Sequence, residues 1–225
     1  VNYYTGQVFD FEIITKLAHS KGITVGFDLA HAAGNIKLEL HNWEVDFAVW
    51  CSYKYLNSGP GSVAGAFIHE KHHKANLPRF AGWWGHNKEE RFKMPDKFNP
   101  IDSAEGWQLS NPPILSLAAI RASLSIFDEV GMDKLVLKSK KLTDYLVFLL
   151  NSIETERIEI ITPKERGCQL SIRVRNGDKK LFDSITVKGV IADWREPDVI
   201  RIAPIPLYNS FQDVFKFYTI LEEEL

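Results

Sequence analysis

The sequence predicts an α/β protein whose first part is a mixed sheet with helices and whose last part is a smaller α+β domain. Three observations support this class. Short apolar strands follow a helix in the first third of the chain, and a long helical stretch occupies the middle. Strand and helix patterns then alternate to the end. Strands this apolar are typical of sheets covered by helices.

The first helix is predicted over residues 9–21, where apolar side chains recur at helical spacing. Asp10 is a residue type that caps helix N-termini, and Gly22 is a typical helix stop. Residues 29–34 are interpreted as a turn or short helical segment. Short buried strands are predicted over residues 23–28, 46–50 and 64–68.

The middle of the chain changes character. Residues 71–111 are rich in aromatic, proline and charged residues with little periodicity, which predicts a long functional loop. Beyond it we predict helices over 114–130 and 133–152, strands near 158–161, 168–174 and 199–202, and helices near 178–188 and 210–224. We therefore expect a large domain over residues 1–115 and a small domain with its linking helices over 116–225.

Composition excludes several classes of protein. The formal net charge is -2, whereas a dedicated nucleic-acid binder carries a basic excess. No run of about 18 apolar residues occurs, so no membrane helix is predicted. The chain has 2 cysteines, too few for a disulfide scaffold or a four-cysteine zinc site. This cysteine usage indicates a reducing, cytoplasmic compartment.

Two charged residues follow predicted strands. Asp28 ends one strand, and Lys54 follows the next, just before a glycine-rich loop over residues 58–65. Ligands of open α/β sheets bind at the carboxyl ends of strands. A lysine amine and a carboxylate there suit pyridoxal 5'-phosphate, which needs a Schiff-base lysine and an anion against its pyridine nitrogen. Each residue alone also has an ordinary explanation, Asp28 as a helix cap and Lys54 as a solvated side chain.

Seven stretches carry motifs in order along the whole chain: residues 27–35, 50–65, 82–86, 91–94, 110–114, 166–170 and 201–210. Together they resemble the kynureninase family. The resemblance implies the fold of type I pyridoxal-phosphate-dependent transferases. It also implies a homodimer that hydrolyses kynurenine or 3-hydroxykynurenine in tryptophan catabolism and pyridine nucleotide biosynthesis.

Residue roles follow from the resemblance and carry alternatives. Lys54 is implied as the Schiff-base lysine, Asp28 as the partner of the pyridine nitrogen, and His31 as a neighbour of the cofactor or a helix-start residue. Tyr53 is implied as a phosphate ligand and proton donor. The remaining roles are Trp83 and Asn111 at the neighbouring subunit's cofactor, Arg201 at the substrate α-carboxylate, and His86, Ser110 and Trp84 at the aryl pocket. Their structural alternatives are core packing for Trp83, helix capping for Asn111 and an ordinary ion pair for Arg201.

The histidine-rich stretch at residues 69–73 and the two cysteines are weaker candidates for chemistry. Residues 69–73 resemble a metal cluster in composition but lack the H-E-x-x-H spacing, so we expect a solvated surface turn and no metal site. Cys51 is interpreted as buried packing in a strand. Cys168 is also interpreted as structural.

Two other hypotheses remain open. The chain begins at Val1 and resembles only the second half of a kynureninase subunit. We therefore expect an incomplete chain without the phosphate cup, inactive by itself and prone to aggregate. A relative of cysteine desulfurases or class-V aminotransferases is the alternative enzyme; those typically carry His before the lysine, where this chain has Tyr53.

Overall fold

The computed structural model describes residues 1–177 and 179–225, and it divides the chain into two compact units. The first unit comprises residues 10–33 and 38–125. The second comprises residues 1–9, 34–37 and 126–225. Two short segments from the early part of the chain therefore belong to the second unit, and the division falls within a helix rather than at a loop.

The first unit contains a 9-residue helix near its start and a three-stranded mixed sheet. Helix α1 (Phe11–His19) begins at Asp10, whose side chain accepts a hydrogen bond from the Ile13 N–H, so the predicted N-cap is confirmed. The sheet contains the strands β1 (Gly26–Asp28), β2 (Phe47–Trp50) and β3 (Gly65–Ile68). β1 pairs with β2 in parallel and β2 with β3 antiparallel. The predicted strands are confirmed, though β1 begins later than expected.

A ring packed against a glycine determines part of this sheet. A Cβ atom on Gly26 would lie 2.1 Å from the Phe47 ring, and Gly26 and Phe47 are directly opposite in the register. Any larger residue at position 26 would displace that ring. The Phe11 ring packs edge-on against Phe27 at 4.8 Å between centroids and stacks on Trp43 at 5.8 Å. These contacts hold α1 against the strand that carries Asp28.

The predicted long loop is built from short 3-10 turns rather than from regular elements. It ends at α2 (Ile114–Val130), which is followed by α3 (Met132–Asn151) after the predicted break at Gly131. Gly131 has a φ of 82°, a backbone region that side chains other than glycine rarely adopt. Both helices therefore match the prediction within a residue or two.

The second unit packs helices on a four-stranded antiparallel sheet. The strands are β4 (Ile158–Ile160), β5 (Leu170–Val174), β6 (Asp193–Arg195) and β7 (Val199–Ile202), in the order β4-β5-β7-β6. The helices are α3, α4 (Lys180–Val187) and α5 (Phe211–Glu224). Their shared core includes fully buried Leu142, Leu170, Ile172 and Ile200. β6 is absent from the sequence-based prediction.

Two interpretations from the sequence are wrong. His69 is only 4% exposed, and His72 Nε2 lies 2.7 Å from Asp46 Oδ1, so residues 69–73 are not a solvated turn. Cys51 is half-buried and lies just after β2 rather than inside it. Cys168 is buried as expected. Burial raises the pKa of its thiol to about 12.

Membrane-spanning helices and metal-binding clusters are both absent from residues 1–177 and 179–225. None of their helices has the length and apolarity needed to cross a bilayer. No group of three or more histidine, cysteine, aspartate or glutamate side chains within those ranges is arranged to hold a metal ion.

Candidate active site

Asp28 lies at the carboxyl end of β1, where the backbone turns. The parallel register pairs Asp28 with Val49 of β2, and the Leu29 N–H continues the ladder by donating to the Val49 carbonyl at 2.8 Å. Asp28 Oδ1 accepts a hydrogen bond from the Ala30 N–H at 2.8 Å. The residue is exposed, so its carboxylate remains accessible to a ligand beyond the end of the strand.

The side chains of Lys54 and His31 contact each other at this edge. Lys54 Nζ lies 3.1 Å from His31 Nε2, and both residues are half-buried. The His31 ring packs edge-on against buried Tyr55 at 5.8 Å between centroids. His31 follows β1 and Lys54 follows β2, so the pairing of these two strands brings both side chains within hydrogen-bonding distance.

The glycine-rich loop after Lys54 closes on itself. The Asn57 N–H donates to the Lys54 carbonyl at 3.0 Å and the Ser58 N–H to the Ser52 carbonyl at 3.1 Å. The Ser52 hydroxyl donates to the Val63 carbonyl at 2.6 Å and also contacts the Ser62 hydroxyl at 2.8 Å. Ser52 is buried. These hydrogen bonds hold the backbone on both sides of Lys54.

Tyr53 is exposed at 53% and lies beside Cys51. Cys51 raises the pKa of the Tyr53 phenol above its ordinary value, first through charge repulsion and then through hydrogen bonding. The phenol is therefore protonated over the whole physiological pH range and is available as a hydrogen-bond or proton donor. Nothing in the sequence pattern indicated this partnership.

The predicted residues of the long loop have different environments. Trp83 is 39% exposed and begins a 3-10 turn, and Ser110 and Asn111 are exposed just before α2. His86 is instead buried at 7%. Its Nδ1 accepts a hydrogen bond from the Asn99 N–H at 3.3 Å, and its carbonyl accepts one from Arg91 at 3.0 Å. The aryl-pocket role of His86 stays a prediction.

Arg201 belongs to the second unit, on β7. Its Nη1 donates to the Tyr3 carbonyl at 3.1 Å, and its Nη2 pairs with the Asp193 carboxylate. Its side chain is 11% exposed. Asp193 was missed by the sequence analysis because strand β6 was not predicted.

The chain is similar in sequence to known proteins. Residues 135–221 match the kynureninase C-terminal domain family. The chain is 59% identical to the kynureninase of Flavobacterium psychrophilum over 99% of its own length and 54% of that protein. It is 57% identical to the kynureninase of Koribacter versatilis over 96% of its length and 52% of that protein.

By sequence, the chain is similar to curated kynureninases over nearly all of its length, and its second half contains the match to their C-terminal domain family. It spans about half the length of the curated kynureninases that it matches. The alignment with them runs over nearly all of its residues, so the resemblance seen in the motifs extends between the motifs as well.

Solved structures add the fold. The apo cysteine desulfurase of Thermococcus onnurineus superposes with a TM-score of 0.79 at 16% identity, covering 99% of this chain and 57% of that one. The cystine lyase C-DES, solved with glycine linked to its pyridoxal phosphate, superposes at 0.80 and 18% identity over 98% and 58%. The chain therefore has the fold of type I pyridoxal-phosphate enzymes. At these identities the likeness supports the fold and not desulfurase activity.

Proposed function

We propose that the full-length protein carrying this sequence is a kynureninase. It hydrolyses kynurenine or 3-hydroxykynurenine to anthranilate or 3-hydroxyanthranilate and alanine, with pyridoxal 5'-phosphate as cofactor. The observation that carries the proposal is the pairing of Lys54 Nζ with His31 Nε2 at 3.1 Å, beside the strand end that presents Asp28. The extensive identity with curated kynureninases supports the choice of substrate class.

The residues present suit this cofactor chemically. Lys54 supplies the primary amine that forms the Schiff base, and Asp28 is an accessible carboxylate for the pyridinium nitrogen. Tyr53 supplies a protonated phenol, and Trp83 and Asn111 supply indole and amide N–H donors suited to a phosphate. Lys54 would hold pyridoxal phosphate, which would supply an electron sink that makes bonds to the substrate α-carbon and β-carbon labile.

The side chains of this chain then move protons and hold the substrate. Lys54 takes the proton from the substrate α-carbon and returns it to that carbon at the end of the reaction, and His31 at 3.1 Å accepts or returns a proton at Nζ. Water adds to the γ-carbonyl, and the bond between the β- and γ-carbons breaks. The γ-carbon leaves as the carboxylate of the anthranilate, and the Tyr53 phenol protonates the β-carbon that becomes the methyl group of alanine.

Substrate orientation is assigned to residues outside the strand ends. Arg201 binds the α-carboxylate through its planar guanidinium. His86, Ser110 and Trp84 are proposed at the aryl group.

We further propose a cytoplasmic homodimer in which Trp83 and Asn111 reach the neighbouring cofactor, with residues 1–115 in the large domain and 116–225 in the small one. The resemblance to kynureninases supports these assignments. It also supports the proposed place in tryptophan catabolism and pyridine nucleotide biosynthesis.

Covalent labelling tests the central residue. The full-length protein is incubated with pyridoxal phosphate, reduced with borohydride and digested, and the peptides are weighed by mass spectrometry. We expect the cofactor mass on the peptide that contains Lys54. Lys54→Ala should abolish the label and lower turnover of kynurenine to about a thousandth or less, since a general base alone contributes up to about 10⁴-fold.

The matched control is Lys16→Ala, which removes an exposed lysine of α1 paired with Glu12. This variant should keep both the label and the turnover. A label on another lysine, or kynurenine turnover that survives in Lys54→Ala, would refute the proposed function.

A further inference from the structure

The strand register of the second unit places a carboxylate directly opposite Arg201. Asp193 of β6 is paired with Arg201 of β7, and Ser171 of β5 is paired with Arg201 on the other side. Directly opposite residues of antiparallel strands share one face of the sheet. The Asp193 carboxylate accepts a hydrogen bond from Arg201 Nη2, and Arg195 Nη2 lies 3.5 Å from the same carboxylate.

A backbone segment from the start of the chain lies over the same face. The Tyr3 carbonyl accepts hydrogen bonds from Arg201 Nη1 at 3.1 Å and from Gln169 Nε2 at 3.2 Å. The Ser171 hydroxyl donates to the Tyr4 carbonyl at 2.5 Å, and the Tyr4 hydroxyl donates to Asp198 at 2.9 Å. We call residues 3–4 the strap.

The interior partners of the strap make it rigid. Gln169 and Ser171 are both fully buried, and a buried amide or hydroxyl without its hydrogen bond costs about 1–3 kcal/mol. The Gln169 side chain also donates to the Ser171 hydroxyl at 3.2 Å. The Tyr3 carbonyl is therefore kept at one position, and that position anchors one end of the Arg201 guanidinium.

The two hydrogen bonds of Arg201 fix the orientation of its guanidinium plane. One terminal nitrogen is held by the strap and the other by Asp193. A guanidinium has five N–H groups, so the remaining ones are left for a ligand in the same plane. A carboxylate is recognised by two parallel hydrogen bonds only when that plane is correctly oriented.

We propose that Asp193, together with the Tyr3 carbonyl held by Gln169, positions Arg201 to bind the α-carboxylate of an amino acid substrate. The proposal rests on the proposed function, in which Arg201 contacts that carboxylate. Asp193 does not touch the substrate; it acts through Arg201. The strap gives the N-terminal residues a role in substrate recognition that their sequence does not indicate.

The test compares ligands with and without the carboxylate on the full-length protein loaded with pyridoxal phosphate. Inhibition constants are measured for an aromatic α-amino acid and for the amine of the same side chain that lacks the carboxylate, and KM and kcat are measured for kynurenine. Asp193→Ala should weaken the amino acid and raise KM about tenfold, a loss of one charge-assisted hydrogen bond. The amine's constant and kcat should change by less than about twofold.

Conservative and control variants separate positioning from general damage. Asp193→Asn keeps an acceptor opposite Arg201 and should recover part of the loss. Gln169→Met removes the donor to the Tyr3 carbonyl at similar volume, and it should weaken the amino acid selectively, with a thermal melt confirming that it is folded. Glu159→Ala removes another exposed carboxylate of the same sheet, one paired with Arg173, and should change neither constant.

The outcomes also separate this inference from the function on which it rests. If Arg201→Ala does not weaken the amino acid relative to the amine, the carboxylate role of Arg201 is wrong. If Arg201→Ala does so while Asp193→Ala and a folded Gln169→Met do not, only the positioning role is wrong. Tighter amino acid binding in Asp193→Ala would also overturn it, because Asp193 would then compete with the substrate.

Discussion

Two aspartates mark opposite ends of the small sheet in the first unit, and their surroundings differ sharply. Asp28 ends β1, is exposed, and accepts one hydrogen bond to its carboxylate from the described residues, from the Ala30 N–H. Asp46 precedes β2 and is only 5% exposed. Both are acidic residues beside strands, so residue type and local sequence do not separate their roles.

Asp46 is surrounded by donors from three parts of the chain. It accepts hydrogen bonds from the Val25 N–H at 2.7 Å, from His19 Nε2 at 2.8 Å and from His72 Nε2 at 2.7 Å, and Lys71 Nζ lies 2.9 Å away. Burial by itself opposes ionisation, but these hydrogen bonds outweigh it and hold the pKa of Asp46 well below its usual range.

The difference indicates which carboxylate is structural and which is available for chemistry. The Asp46 carboxylate accepts hydrogen bonds from α1, from the residue before β1 and from the residues that follow β3, and so it connects these three segments. Asp28 keeps acceptor capacity facing solvent at the strand end. A saturated carboxylate stabilises the fold, whereas an accessible one beside Lys54 and His31 is suited to a cofactor. The following variants test this contrast, beginning with the largest effect.

Asp46→Ala should destabilise the protein by about 3 kcal/mol, because it leaves the buried Val25 N–H and the half-buried His19 and His72 rings without their acceptor. Equilibrium urea unfolding of the variant and the wild type measures the difference. A loss below about 0.5 kcal/mol, the range of an ordinary surface substitution, would show that the cluster is not a structural clamp.

Asp28→Asn should give the reverse result. We expect kynurenine turnover to fall about 100-fold, comparable to removing one preorganised electrostatic contact from an active site, while stability changes by less than about 0.5 kcal/mol. Turnover and urea unfolding are measured on the same preparation. A stability loss as large as that of Asp46→Ala, with turnover retained, would assign Asp28 a structural role.

Asp46 should contribute to the pH dependence of stability. Because the folded-state pKa of Asp46 is lowered, its contribution is fully present above the unfolded-state value of about 3.9 and is lost as pH falls below it. Urea midpoints between about pH 6 and 3 should therefore fall less in Asp46→Asn than in the wild type. Parallel curves for the two proteins would contradict the assignment.

The sequence predicted the helices and the strands that lead to Asp28 and Lys54. Helix positions follow from local periodicity and from stop signals such as Gly131, and these depend on neighbouring residues only. Asp28 ends one strand and Lys54 follows another, these two strands pair in parallel, and the carboxyl ends of such strands meet at one edge of a sheet. By contrast, β6 has only three residues, two of them charged, and it is a strand because β7 supplies its hydrogen bonds.

The errors have the same cause. His69 and His72 were expected in solvent, but His72 is drawn to a carboxylate 26 residues earlier in the chain, and local composition does not contain that partner. Burial of a polar residue depends on where its partner lies, and the partner is often distant in sequence.

Local pattern therefore determined the α/β class and the helices, since periodicity is a property of neighbouring residues, and with motif order it predicted Asp28, His31 and Lys54 as site residues. Only the tertiary structure decided that Asp46 is saturated while Asp28 is accessible. It also decided that Arg201 is held between Asp193 and the strap, with 198 residues separating Tyr3 from Arg201. Hydrogen bonds across such separations depend on the folded arrangement of the backbone, which no local pattern encodes.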